Sequence, residues 1–316
     1  MAHDNCRPRG KGRDVCYCNE VEVVFEFDSD GFLTNRSNEL EAGVYASHND
    51  LFEGARQINH ECHELLFSVD IRNRDVRAII TAMLLMRALE HYQATIILLG
   101  RGLIAAARVT LRALVETIFR IRAIATDHGA LKAFITEDRV HRKRLINKAR
   151  NNAHPNLEET RRAITDDLVK ELEQQIKSAG AKPLSTEDWS KLAGMHDWYT
   201  TNYALLSKAV HTQVRDLEAY LKQGASGDIQ ELDYAPSMDE IPLLILTAAH
   251  LLLIAASAFD KTFDLGFGPK GDELFKFVDS GFRALEVRRT GGGKAGRSGA
   301  RAGAGQVAGK RRYAVT

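Results

Sequence analysis

Cysteine is scarce in this 316-residue chain: Cys6, Cys16, Cys18 and Cys62 are too few and too unevenly spaced to staple a protein of this size. A disulfide framework is excluded on that ground, and a reducing cytoplasm is the expected setting. Three of the four lie in the first eighteen residues near His3, but Cys-x9-Cys-x-Cys is not a spacing in which paired knuckles grip a tetrahedral ion. Free thiols are expected there, and no metal. The chain also lacks a Walker phosphate loop, a Gly-x-Gly-x-x-Gly dinucleotide turn and a His-Glu-x-x-His zinc helix, so no cofactor is implied. No apolar stretch follows the basic first residues, and no signal peptide is expected.

Acid is missing from the other end. From Val287 onward stand Arg288, Arg289, Lys294, Arg297, Arg301, Lys310, Arg311 and Arg312 with no Asp or Glu. Taking those eight charges from a net charge of +1 leaves residues 1–286 at −7, a mildly acidic body that does not suit a folded nucleic-acid face. The Gly/Ala/Arg-rich tail, residues 288–316, is too poor in apolar side chains to fold, and nucleic acid is the partner its charge would attract.

Apolar residues make up 44% of the chain, enough to fill the core of one large helical domain. Residues 1–19 read as disordered. Residues 20–44, with VEVVFEF, DSDG and FLTNRS, read as a small β segment of a strand, a turn and a second short strand. Residues 45–287 read as a helical domain. Apolar spacing predicts helices over 45–67, 74–99, 103–126, 130–152, 157–178, 196–222, 239–263 and 271–286. The fold class is therefore all-α, a bundle of seven or eight helices with a small N-terminal β appendage and a disordered basic C-terminal tail. Residues 241–259 carry no formal charge over nineteen positions, which is long enough to span a membrane. His250 at their centre, many Ala, Ser and Thr, and no flanking Lys/Arg cluster favour a buried core helix over a membrane span. His250 is then expected to bond a backbone carbonyl. Arg139, Lys143, Lys148 and Arg150 form a basic face on the 130–152 helix, expected to be solvated, with RNA as an alternative partner.

Ionisable groups inside apolar helices stand out. On the 103–126 helix, Arg108, Arg112 and Glu116 follow at four-residue steps along the edge of the apolar arc. Arg87, Glu90 and His91 interrupt the preceding helix. On the 196–222 helix, Tyr199, Tyr203, Ser207 and His211 form one stripe, again at four-residue steps. A buried Arg–Glu pair needs further hydrogen bonds, so a partner from another helix is expected, and His211 closing a network on Glu116 is the simplest.

The segment LGRGLIAAARVTLRALVETIFRIRAI, with Arg112 and Glu116 as its Arg-x3-Glu, is followed nearly a hundred residues on by YALLSKAVHT. In these two motifs the chain resembles a widespread family of uncharacterised helical bacterial proteins, a domain of unknown function with an LRSLxE-type helix and an SxxVH-type helix. The resemblance covers about residues 75–263. It implies a helical bundle that brings Arg112, Glu116, Ser207 and His211 together, and it brings no established activity.

Three functional readings follow. In the first, the four residues form a satisfied buried network that fixes helix register. In the second they are a catalytic site, with His211 as general acid or base, Glu116 orienting it, and Arg112 or Arg108 facing an anionic phosphate. The analogy there is with HEPN-type ribonucleases, metal-independent enzymes or toxins of defence and stress systems. Their Arg–His spacing has loose counterparts here in Arg56/His63, Arg122/His128 and Arg150/His154. The third is an oligomerising or membrane-associated module built on the 239–263 helix, with a homo-oligomer as its product.

Overall fold

A computed structural model describes residues 30–70, 74–210, 214–224, 226–232, 234 and 238–292. Its helices are α1 (Ser37–Ser47), α2 (Asn49–Phe67), α3 (Val76–Gly100), α4 (Ile104–Thr126), α5 (His128–Arg150), α6 (Glu158–Ala163), α7 (Asp166–Ala179), α8 (Thr186–Leu192), α9 (His196–Trp198), α10 (Ala204–Val210), α11 (Val214–Leu217), α12 (Ile241–Phe263) and α13 (Gly268–Gly292). Eight of these run for eleven residues or more, and the bundle is all-α with, among the described residues, one two-stranded antiparallel sheet.

The centre of the bundle follows from composition. Helix α12 is apolar on every side, and a helix of that kind satisfies the hydrophobic effect only where neighbours surround it. It packs against α4, α3, α13 and α2. Its Leu251, Leu252, Leu253 and Phe259 are fully buried, each burial stabilising by about 1.5–3 kcal/mol. Over its most apolar stretch the mean hydropathy is 2.2, long and apolar enough to cross a membrane, and 83% of that stretch is buried inside the protein. The side chains that would meet lipid or an oligomer partner in the third reading are thus already covered by the chain's own helices. Helices α3 and α4 form the antiparallel hairpin beside it, turned at Gly102, whose φ of +70° lies in the region where glycine is at ease.

Side-chain caps set several boundaries. Asp75 accepts from the Ala78 N–H at 3.0 Å and starts α3, and Asp127 accepts from the Gly129 N–H at 2.6 Å and starts α5. Thr165 accepts from the Leu168 N–H at 3.2 Å, which begins α7 and splits the single helix expected over 157–178.

Other expectations need correction. The β reading of residues 20–44 does not hold for its described part: Gly31–Leu33 is a 3-10 turn and α1 follows. Leu40 and Val44, one helical turn apart, are buried in the core, whereas Leu33 is 91% exposed, so burial there follows the helical period. Residues 20–29, and the segment 1–19 read as disordered, lie outside the described residues. The helix expected over 196–222 stops being continuous at once. Tyr199–Tyr203 is a π-helical turn, and beyond α11 the chain makes the hairpin of β1 (Leu221–Gln223) and β2 (Ile229–Leu232), with a bulge between Lys222 and Gln223. The residues from 288 to 292, assigned to the tail, are instead the last turn of α13; residues 293–316 lie outside the described residues.

Candidate functional site

Helix α4 presents Arg112, Glu116 and Arg120 in one row at four-residue spacing, and three neighbouring elements meet it. The Arg112 guanidinium lies 3.1 Å from the Glu116 carboxylate through Nη2. That nitrogen also donates to the Tyr203 hydroxyl at 2.6 Å, and the hydroxyl in turn donates to Glu116 Oε1 at 2.9 Å. The three side chains close a triangle. Arg120 extends the row: its Nη1 is 3.8 Å from Glu116 Oε2 and donates to the Glu116 backbone carbonyl at 3.2 Å, while its Nη2 reaches Glu137 of α5 at 3.4 Å. The Trp189 indole of α8 donates to the other Glu137 oxygen at 3.0 Å. Two rings lie against the cations, Tyr203 at 4.8 Å from the Arg112 guanidinium and Trp189 at 5.9 Å from that of Arg120.

This arrangement is charge-balanced, two arginines against two glutamates, and it joins α4, α5, α8 and the π-turn. Its charged side chains keep 20–32% of their surface exposed, so the cluster lines the edge of the core. Burial, and next the charge of Glu116, push the Tyr203 phenol up, and it holds its proton at neutral pH. His91 of α3 feels Glu116 as well; burial first, then Arg87, lowers its basicity against the opposing pull of Glu90 and Glu116. Arg112 Nε is buried, with no hydrogen-bond partner among the described residues. The π-turn stacks Tyr199 on Tyr203 at 5.2 Å, and π-turns of this kind recur at functional sites.

The sequence-derived set is brought together only in part. Arg112 and Glu116 meet as expected, and the partner from another helix is Tyr203, a member of the expected stripe. Ser207 is half-buried one turn beyond it, and among the described residues no hydrogen bond joins it to Arg112 or Glu116. His211 lies outside the described residues. Arg108 turns away from the cluster and pairs with Glu240 at the start of α12. Sequence reasoning missed Arg120, which continues the four-residue row, and also Glu137 and Trp189, whose approach depends on how α5 and α8 pack.

Elsewhere the polar expectations change partners. The basic face of α5 is met by α7: Lys143 pairs with Glu173 at 2.8 Å, Arg150 with Asp166 at 2.7 Å, and Arg139 donates to the Gln175 carbonyl at 3.4 Å. Much of that charge is neutralised within the chain. His250 does not take the expected backbone carbonyl at Nδ1, which is buried and has no partner among the described residues; the ring stacks on Trp198 at 5.5 Å with Phe275 at its edge, 5.4 Å away. Apolar rings reached it before any carbonyl could, because α12 spends its own carbonyls on its helical ladder. The members of the Arg–His pairs are engaged separately: Arg56 with Glu53, His63 with the Asn59 carbonyl, His128 with Arg77, and Arg150 with Asp166. Cys6, Cys16 and Cys18 lie outside the described residues. Among the described residues no group of three His, Cys, Asp or Glu could hold a metal ion.

Residues 78–229 match the model of a family of unknown function, DUF5677. No curated protein and no solved structure matches the chain. The DUF5677 match begins in α3, takes in the whole cluster and ends in β2, while α1, α2, α12 and α13 fall outside it.

Proposed function

We propose that this protein works by association, as a helical interaction module, and that the cluster around Arg112 and Glu116 is a structural clamp. The clamp is carried by the closed triangle of Arg112, Tyr203 and Glu116, and the association by the outward face of α3, where Met83, Met86 and Ile97 are each more than half exposed. A general base needs a lone pair free to take a proton, and an anion site needs a cation whose donors face outward. Here Glu116 Oε1 already accepts from Tyr203 and faces Arg112, and Tyr203 keeps its own proton. The same bonds tie together elements that are distant in sequence, which is what a register-fixing network does. A reducing cytoplasm fits the unpaired and fully buried Cys62.

The test is the Glu116→Gln variant, which keeps the shape and removes the charge between Arg112 and Arg120. The clamp reading expects a loss of about 1–3 kcal/mol in denaturant unfolding, since the carboxylate is three-quarters buried and hydrogen-bonded. An unchanged unfolding midpoint refutes it.

One observation favours a second reading. The buried Nε of Arg112 is a donor for which the described residues supply no acceptor, as an anion-handling site would have. In that reading the cluster serves an HEPN-like, metal-independent ribonuclease or toxin. Toxicity on overexpression that is relieved by Arg112→Ala and by His211→Ala, in variants that keep the parent's unfolding midpoint, would replace the clamp with this site.

A further inference from the structure

Helix α3 buries one side of itself, and the other is left uncovered by the described residues. Met83 is 58% exposed, Met86 57% and Ile97 56%, all on one helical spine, and Val76 at its N-terminal end is 48% exposed. Clustered apolar exposure of this size on a helix is a mark of an interaction site, where isolated exposed residues would not be. In the middle of the spine stand Arg87 and Glu90, paired with each other at 2.7 Å and both more than half exposed.

The order of residues along the spine is self-complementary. Taking the point between Ala88 and Leu89 as a centre and reversing the helix, Arg87 falls on Glu90, Met83 on Ala94, and Ile80 on Ile97. All of these lie within about 60° of one line on the helix at 100° per residue. A twofold axis there would set each Arg87 against the Glu90 of the other copy and cover the apolar side chains on both sides of that double pair. Such isologous matching, in which one patch recognises itself, is what closed dimers require.

We infer that a second copy of this chain docks on the outward face of α3, the two α3 helices lying antiparallel about an axis between Ala88 and Leu89. This names the partner for the association reading and rests on it. Charge selects the second copy over an apolar segment of the same chain. The stretch VEVVFEF, outside the described residues, carries Glu22 and Glu26 and no cation, so it could face Arg87 but would set like charge against Glu90, whereas the symmetric copy supplies one opposite charge to each.

The experiment is sedimentation velocity of the full chain over a range of concentrations at moderate salt. The parent is expected to pass from monomer to dimer as concentration rises. Arg87→Glu sets like charges face to face twice per dimer, and Met83→Glu places a carboxylate against the apolar Ala94 of the other copy. Each is expected to weaken the dimer by about a hundredfold or more in Kd. The exchange variant with both Arg87→Glu and Glu90→Arg is expected to dimerise like the parent. Circular dichroism of each variant confirms the fold, which these exposed positions should not disturb, and Ile97→Glu is the substitute should Met83→Glu fail that check. A parent that stays monomeric throughout overturns the inference, as does a dimer indifferent to these charges or one that the exchange variant does not restore. A dimer indifferent to these charges leaves association standing and removes only this face, whereas a parent that stays monomeric removes both.

Discussion

The Tyr203 hydroxyl donates to Glu116 across 87 residues of chain, and the same oxygen accepts from Arg112. One phenol thus mediates between two ionised groups on α4 while its ring lies over the guanidinium. Removing that oxygen alone is a milder test than removing a charge. Tyr203→Phe keeps the ring and its contact with Arg112, and is expected to lower stability by about 1 kcal/mol in denaturant unfolding. Combined with Glu116→Gln, it should cost less than the two single changes together, with a coupling of about 0.5–3 kcal/mol. Strict additivity would show that the two side chains do not act as a unit.

Cys62 lies at 0% exposure on α2, and burial pushes its thiol far above the ordinary cysteine range. The thiolate is the reactive form, so this sulfur is expected to be inert in the native state. In a variant with Cys6, Cys16 and Cys18 changed to Ser, Ellman's reagent should label nothing until denaturant is added, when one thiol per chain appears. Rapid labelling without denaturant would mean that α2 opens readily.

His250 should make stability fall in mild acid. Burial lowers its basicity below that of an exposed imidazole, against a weaker opposing pull from Asp279. Above about pH 6.5 the ring is neutral in both folded and unfolded chains, and its environment costs nothing. As pH falls below that value the unfolded chain takes up a proton first, so stability is lost until the folded-state value is passed. His48 and His91 are lowered too and add to the same slope. The melting temperature should therefore decline as pH falls below about 6.5, and His250→Phe, which keeps an aromatic ring against Trp198, should flatten part of that decline.

Helix α12 comes close to α13 at Gly281. A Cβ there would lie 2.5 Å from Leu246 Cδ2, and Leu246 is 1% exposed, with little room to move. Gly281→Ala is expected to destabilise by about 1–3 kcal/mol through overpacking, despite alanine's better helix propensity. Leu246→Ala in the same chain should relieve the clash, so that the double variant is more stable than the two losses would suggest. A Gly281→Ala protein more stable than the parent would show that the helices can part at little cost.

What could be read from the sequence was what periodicity controls. The starts and ends of α3, α4 and α12 fall within about two residues of those expected, because their apolar arcs are long and uninterrupted. The Arg112–Glu116 pair was legible for the same reason. The region from Tyr199 to Leu232 was not: a π-turn, a short α10 and a bulged hairpin depend on which neighbours capture Tyr203 and Trp198, and local spacing contains no trace of those contacts. Helix α1 was misread because only Leu40 and Val44 mark its buried side, too few to display a period. The Thr165 cap was visible as Thr-Asp-Asp-Leu, a polar residue followed by two acids, and the continuous apolar stripe on either side hid it.

The place of α12 in the order of synthesis has a consequence for the nascent protein. Helices α3 and α4 leave the ribosome with the surfaces that α12 will cover still bare, and Ile241 follows Thr126 only after a long interval of translation. At about 5–20 residues per second that wait is on the order of ten seconds, far longer than helices need to form and meet. Through that time the hairpin of α3 and α4 is a greasy intermediate awaiting its last wedge, suited to chaperone capture. A message cut short before Ile241 would leave it in that condition for good.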